Sequence, residues 1–370
     1  MNITQVRATA VRVPIMRPAT FSKRQRTAVL ATIVEVHTDN GLVGLGETRG
    51  HWAAPIINER FGPLLIGMPA NDQNAAFDKC ISSPFDYGFP ERGCEVHAFA
   101  GIEIALWDLA GKAAGQPLYE MLGGPVRERA PFTAYAYTVD PAEGKGESAV
   151  PETMAALARQ GVEESGASLF EFKIGVYSVE CEIAAVLAIR EAIGPHVGIA
   201  VDANMGLSMD NARRFLEGVA DARLENFEEP VVSLADMQKL RSAFEVPFST
   251  HCFDRDTLAA YPAIDAVVSD VQPLGGIGPT LEFIRQLTVM NRRFWLRAHW
   301  EAGIYWAVMC HMGIALPQLD RPAQALMNWV SDDLILGPAW KVEDGGVHPP
   351  GGPGLGVELD REAMARYEVG

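Results

Sequence analysis

From residue 128 onward the sequence repeats one pattern, a short β-rich run followed by a longer helical segment. The runs are FTAYAYT, LFEFKIG, VGIAVDAN, LENFEEPV, VPFSTH, AVVSDVQP, FWLRAH and AQALMNW. Helical sequence separates them, as in PETMAALARQGVEES, SVECEIAAVLAIREAIG, SMDNARRFLEGVA and SLADMQKLRSAF. In the last, Ser233 and Asp236 are spaced as an N-terminal capping pair. Two parallel strands need a long crossover, so strict alternation predicts a parallel sheet. Eight units in roughly 200 residues fit a closed (β/α)-barrel. An open doubly wound sheet is the alternative, but the G-x-G-x-x-G turn it often carries is absent. The Gly/Pro-rich stretch EDGGVHPPGGPGLGVELD ends the pattern, so the barrel is expected over 128–345.

The first 127 residues read differently. Residues 2–13 and TAVLATIVEVHT (27–38) are strand-like, Asn40–Gly41 marks a turn, and GLVGLGE supplies a third strand. HAFAGIEIALWDLAGKAAG (97–115) is the clearest helix. An α+β unit preceding an α/β barrel is the expected organisation.

The chain has 370 residues, 48% hydrophobic and 21% charged, which is ordinary globular composition. Its formal net charge of −16 argues against a nucleic-acid partner, which needs a basic surface. No stretch reaches the roughly 18 apolar residues of a membrane span, and MNITQVRATAVRVPIM alternates like a strand rather than forming a leader. The five cysteines are scattered and form no C-x-x-C pair, so a reducing cytoplasm is the expected location.

Barrel strands point their C-terminal ends at one mouth. The ends here carry Lys173, Asp202, Glu228, His251, Asp270, His299 and Asn328, at intervals of 19 to 29 residues. These residues lie on different elements and converge only if the barrel closes. Asp202, Glu228 and His251 on three consecutive strands form a candidate divalent-metal site, and two carboxylates suit Mg²⁺ or Mn²⁺. Lys173 precedes them; Asp270 and His299 follow as a carboxylate-oriented imidazole. A metal flanked by bases is what removal of a proton α to a carboxylate requires.

With these motifs the chain resembles the enolase superfamily, in its mandelate racemase-like branch. EIALWDLAGKAAGQPLYEMLGG (103–124) resembles the link from the family's capping domain to its barrel. VDAN (201–204) and FEEP (227–230) match its first two ligand motifs, and FKIG its basic strand. GPGLGVELD resembles the return of the C-terminal segment, 346–370, to the capping domain. Within the family the glucarate dehydratase group looks nearest. The resemblance implies metal ligands at Asp202 and Glu228 and catalytic roles for Lys173, His299 and Asp270; His251, in the third ligand's place, either coordinates the metal or contacts substrate or a metal-bound water. It departs from that group at Glu171, where a lysine would stand, and at His251, where an asparagine would.

Glu171 is placed to pair with Lys173 and hold it protonated. Substrate contacts are expected from Asn204, Glu171, Glu301 and Asn328. More are expected from two loops of the capping domain, through Lys23, Arg24 and Arg26 in RPATFSKRQR, and through Arg49, His51 and Trp52. His97, His196, His311 and His348 read as structural, and Cys252 and Cys310 as core residues. The implied activity is Mg²⁺- or Mn²⁺-dependent dehydration of an acid sugar, a small-molecule carboxylate, by a homo-oligomer. A racemase or epimerase, which needs a base on each face, and a non-catalytic ligand-binding relative are the rivals.

Overall fold

The computed structural model describes residues 1–21, 24–81, 91–139, 146–298, 300–337 and 340–369. Lys23 and His299 therefore lie outside the described residues, as does the side chain of Asn328. Three antiparallel strands open the chain: β1 (Ile3–Phe21), β2 (Arg24–Thr38) and β3 (Val43–Arg49), in that spatial order. Helix α1 (Glu91–Ala114) packs across β3 at glycine contacts. A Cβ at Gly46 would sit 1.9 Å from the carbonyl oxygen of Gly101, so only glycine allows this approach.

The barrel strands are β4 (Ala134–Ala136), β5 (Leu169–Lys173), β6 (Gly198–Asp202), β7 (Asn226–Glu228), β8 (Phe248–Thr250), β9 (Ala266–Ser269) and β10 (Arg293–Leu296). They form one seven-stranded sheet in sequential order, every described pairing parallel. The crossover helices are α2 (Val150–Ser165), α3 (Val179–Ile193), α4 (Met209–Gly218), α5 (Leu234–Ala243), α6 (Arg255–Ala260), α7 (Ile277–Val289) and α8 (Gly303–Ala315). The side chain of Ser233 caps α5, accepting from the Asp236 N–H at 3.2 Å. Alternation sorts the side chains. Phe170, Phe172, Ile199, Val201, Phe227 and Phe248 pack against the helices. The opposite parity fills the barrel, with Leu169, Ala200, Val268 and Trp295 clustered at its floor.

Two expectations are corrected. AQALMNW is not an eighth strand: Ala323 makes one isolated bridge to Phe132, and Met327–Trp329 form a 3₁₀ turn. Pro322 has no N–H with which to extend a ladder, and its carbonyl accepts the Trp295 indole N–H at 3.1 Å. The basic stretch, in its described residues 17–21 and 24–26, is strand rather than a free loop. It continues the β1–β2 hairpin to the pair Phe21–Arg24, and Thr20 bridges Thr138 beyond β4. At Thr20 the hairpin thus meets the chain leaving β4.

Buried carboxylates join the capping domain to the barrel. Glu47 on β3 accepts from the N–H groups of Ala302 and Tyr305, at 2.6 and 2.9 Å, at the start of α8. Glu103 on α1 does the same for Ile277 and Gly278 at the start of α7, at 2.7 and 2.8 Å. Both satisfy helix N-terminal donors that have no partner within their own helix. Helix α9 (Arg361–Tyr367) returns to the cap, where Arg361 pairs with buried Glu35 on β2. Among the described residues no helix is long and apolar enough to cross a membrane.

Candidate active site

Parallel register sets Lys173, Asp202 and Glu228 side by side on β5, β6 and β7. All three are buried. The Lys173 ammonium bonds to Asp202 Oδ2, so the expected Glu171–Lys173 pair is not formed. Glu171, one inward position deeper, instead accepts from the side-chain amide of Gln324. Burial, then the charge of Glu228, push the Glu171 carboxyl well above its ordinary range. The loop after Lys173 is fixed by Glu182, whose Oε1 takes the N–H groups of Gly175, Val176 and Tyr177.

Asp202 is raised to about 6 by burial and by the neighbouring Glu228. Asn204 sits in the left-handed region, at φ 46°, where a short amide side chain is tolerated. Its backbone N–H reaches Asp202 Oδ1 at 2.7 Å and its amide reaches Oδ2 at 3.0 Å. It supports the carboxylate, while its own Oδ1 is buried with no hydrogen-bond partner among the described residues.

His251 ends β8. Its Nδ1 lies 2.7 Å from the Val268 carbonyl oxygen. A carbonyl only accepts, so Nδ1 carries the hydrogen and Nε2 is turned toward Glu228 Oε1, 3.0 Å away. This is the orientation of a metal-ligating imidazole held from behind by a carbonyl. Burial opposes ionisation of Glu228, but the hydrogen bond and charge of His251, with Lys173 and Arg297, outweigh it and hold the carboxyl at about 2. Glu229 fixes His251 from below by accepting its N–H at 2.6 Å.

Across the mouth, Asp270 Oδ1 accepts from the Gln272 N–H at 2.9 Å, and its Oδ2 lies 3.7 Å from Arg297. The same guanidinium is 3.5 Å from His251 Nε2. Arg297 thus links the two halves of the site. Glu301 is buried nearby, and Trp300 stacks on Tyr137 at 5.1 Å. Tyr135 and Tyr137 lie within the field of Asp202 and Glu171. Arg297, Gln272, Gln324 and Tyr135 escape motif reading. Only Arg297 carries a usable signal, because it lies two residues after inward-facing Trp295 and two before His299.

Among the described residues no three His, Cys, Asp or Glu side chains converge closely enough to enclose an ion as they stand. They rest as two pairs, Asp202 with Lys173 and Glu228 with His251. The donor set nevertheless fits a hard divalent cation. Two buried carboxylates stand on adjacent strands, and one imidazole nitrogen faces Glu228 Oε1.

Residues 153–363 match the enolase C-terminal domain-like family, and residues 3–123 match the mandelate racemase / muconate lactonizing enzyme N-terminal domain. The chain belongs to the enolase superfamily, in its mandelate racemase-like branch. It is 30% identical to a probable glucarate dehydratase of Streptomyces coelicolor, over 90% of this chain and 83% of the relative. A putative sugar isomerase from the same organism superposes with a TM-score of 0.90 at 31% identity, covering 99% of this chain and 96% of that one. An enolase from Thermobispora bispora, complexed with magnesium and formate, gives 0.84 at 25% identity, covering 99% and 92%. The capping α+β domain and modified barrel are the architecture of this family. Its members are enzymes, lyases and isomerases among them.

Proposed function

We propose that the protein is a divalent-metal-dependent hydro-lyase that dehydrates an acid sugar. The observation that carries this reading is the register of Lys173, Asp202 and Glu228, with His251 beyond them and Asp270 across the mouth. Asp202 and Glu228 would hold Mg²⁺ or Mn²⁺, with His251 as third ligand. The bound cation supplies the positive charge that the developing enediolate needs. The protein's own groups move the protons. In this reading a base breaks the C–H bond α to the carboxylate. A general acid then protonates the departing β-hydroxyl, which leaves as water, and the resulting enol becomes a ketone. His299 takes both roles if proton and hydroxyl leave on one face, oriented by Asp270. Lys173 lies on the opposite flank, where its ammonium faces the substrate carboxylate.

A racemase or epimerase is the second reading, favoured by the presence of Lys173 and Asp270 on opposite sides of the Asp202–Glu228 pair. A panel of aldonates and aldarates, with Mg²⁺ in deuterated solvent, separates the two. Ketone formation from one member is expected. Deuterium uptake without loss of water would favour the racemase, and binding without either a non-catalytic relative. Lys173→Met should still exchange the α-proton slowly, whereas His299→Asn should not. The reverse pattern would make Lys173 the base.

A further inference from the structure

Lys173 and Arg297 both bring a cation to the barrel mouth, and they are held differently. The Lys173 ammonium is bonded to Asp202 Oδ2. The Arg297 side chain is only 14% exposed, yet its guanidinium has no such bond among the described residues. One nitrogen lies 3.7 Å from Asp270 Oδ2 and another 3.5 Å from His251 Nε2. Both contacts stand at or beyond the end of hydrogen-bonding range. Arg297 Nε and Asp270 Oδ2 are each buried without a hydrogen-bond partner among the described residues. A guanidinium can grip a carboxylate through two parallel bonds, and here it reaches Asp270 through one distant nitrogen. A buried cation held so loosely is costly, and it suits a partner that arrives from outside.

The contact with His251 gives that looseness a consequence. His251 Nδ1 carries the ring hydrogen, since it faces the Val268 carbonyl oxygen at 2.7 Å. Nε2 then has a single lone pair, and the guanidinium lies against it. A metal ion shared by Glu228 and His251 needs the same lone pair. It must also tolerate the charge of Arg297, which is near enough to favour the ionised form of Glu228. Guanidinium and divalent cation are therefore rivals for one nitrogen, and they repel each other. An anion that engages the guanidinium relieves both conflicts.

We propose that Arg297 is a positioning residue that guards the metal site: its guanidinium opposes the cation at His251 until a carboxylate ligand draws it aside, so that metal and acid bind cooperatively. The inference rests on the metal-dependent reading and adds to it an order of dependence between metal and substrate.

Titration of the full chain with Mn²⁺, followed by the electron paramagnetic resonance of the free ion, tests this without turnover. The titration is run alone and with formate, tartrate or gluconate, corrected for the Mn²⁺ that each acid binds by itself. In the parent at least one acid should tighten Mn²⁺ binding by about ten- to a hundredfold, the usual scale of coupling between two ligands. Arg297→Met should bind Mn²⁺ alone about tenfold tighter than the parent and lose most of that coupling. Arg297→Gln supplies the same comparison if the Met variant does not fold. Arg297→Lys, which keeps the charge, should stay near the parent. Unchanged or weaker metal-only binding in the neutral variant, an equal gain in Arg297→Lys, or no tightening by any acid would each overturn the inference and leave the metal site standing. Absence of Mn²⁺ binding in every chain and condition would overturn the metal-site reading and the inference with it. The full coupling pattern with no ketone from any sugar would uphold the guard and overturn the dehydratase reading alone.

Discussion

The same strands end in two opposite ways. At the floor, β5, β6, β9 and β10 present Leu169, Ala200, Val268 and Trp295, an apolar plug. A few residues later, at the same parity, they present Lys173, Asp202, Asp270 and Arg297. The floor gains stability from removing apolar surface from water. The mouth keeps charges buried beside one another, held by Asn204, Glu229, Gln272 and Gln324. Period-two alternation lets one strand serve both ends, so stability and chemistry separate by depth rather than by element.

The largest expected effect lies at the mouth. Asp202→Asn and Glu228→Gln should each weaken divalent-metal binding by more than the roughly ten- to hundredfold lost when a supporting partner is removed. Direct metal titration checks this, and unchanged affinity in both would remove the metal from this end. Trp295→Ala should do the converse. It should destabilise the fold by about 3–5 kcal/mol in denaturant unfolding, the range for emptying a large aromatic site. The folded variant should bind metal like the parent. A matching loss of metal affinity would mean that floor and mouth are one unit.

His251→Asn offers an amide oxygen in place of a nitrogen. Preference should move from Mn²⁺ toward Mg²⁺ by about tenfold if His251 coordinates. An unaltered ratio of the two affinities would place His251 beside the metal rather than on it.

The smallest effect is a slope. Burial pushes Glu47 and Glu103 up to about 7 against their amide donors. A folded value above the unfolded one means that the folded state holds these protons more tightly. Their stabilisation is complete below the ordinary carboxylate value of 4.5 and is lost as pH rises through about 7. Glu47→Gln and Glu103→Gln should flatten unfolding stability across that window. A profile as steep as the parent's in both variants would refute this sign.

The sequence carried most of the frame. Seven of the expected strands form a ladder, because alternation and helix caps are local signals. The eighth failed where Pro322 withholds an N–H and Gln324 turns to Glu171, a long-range bond with no local trace. Strand-end spacing found the polar residues of the mouth but not their pairing. Lys173 meets Asp202 rather than Glu171, because register, not sequence proximity, decides which buried charges adjoin. The contact of His97 with Arg49 has no local trace either, since the two lie 48 residues apart on different elements.

Glu47 and Glu103 also bear on how such a molecule can change over evolutionary time. Each completes the first turn of a helix that belongs to the other part of the chain. A barrel inherited with a foreign cap lacking these acids would keep exposed amide ends at α7 and α8, right beside the mouth. Wholesale exchange of the cap would therefore break a shared grammar of helix beginnings unless the new cap carried acids at the same two places.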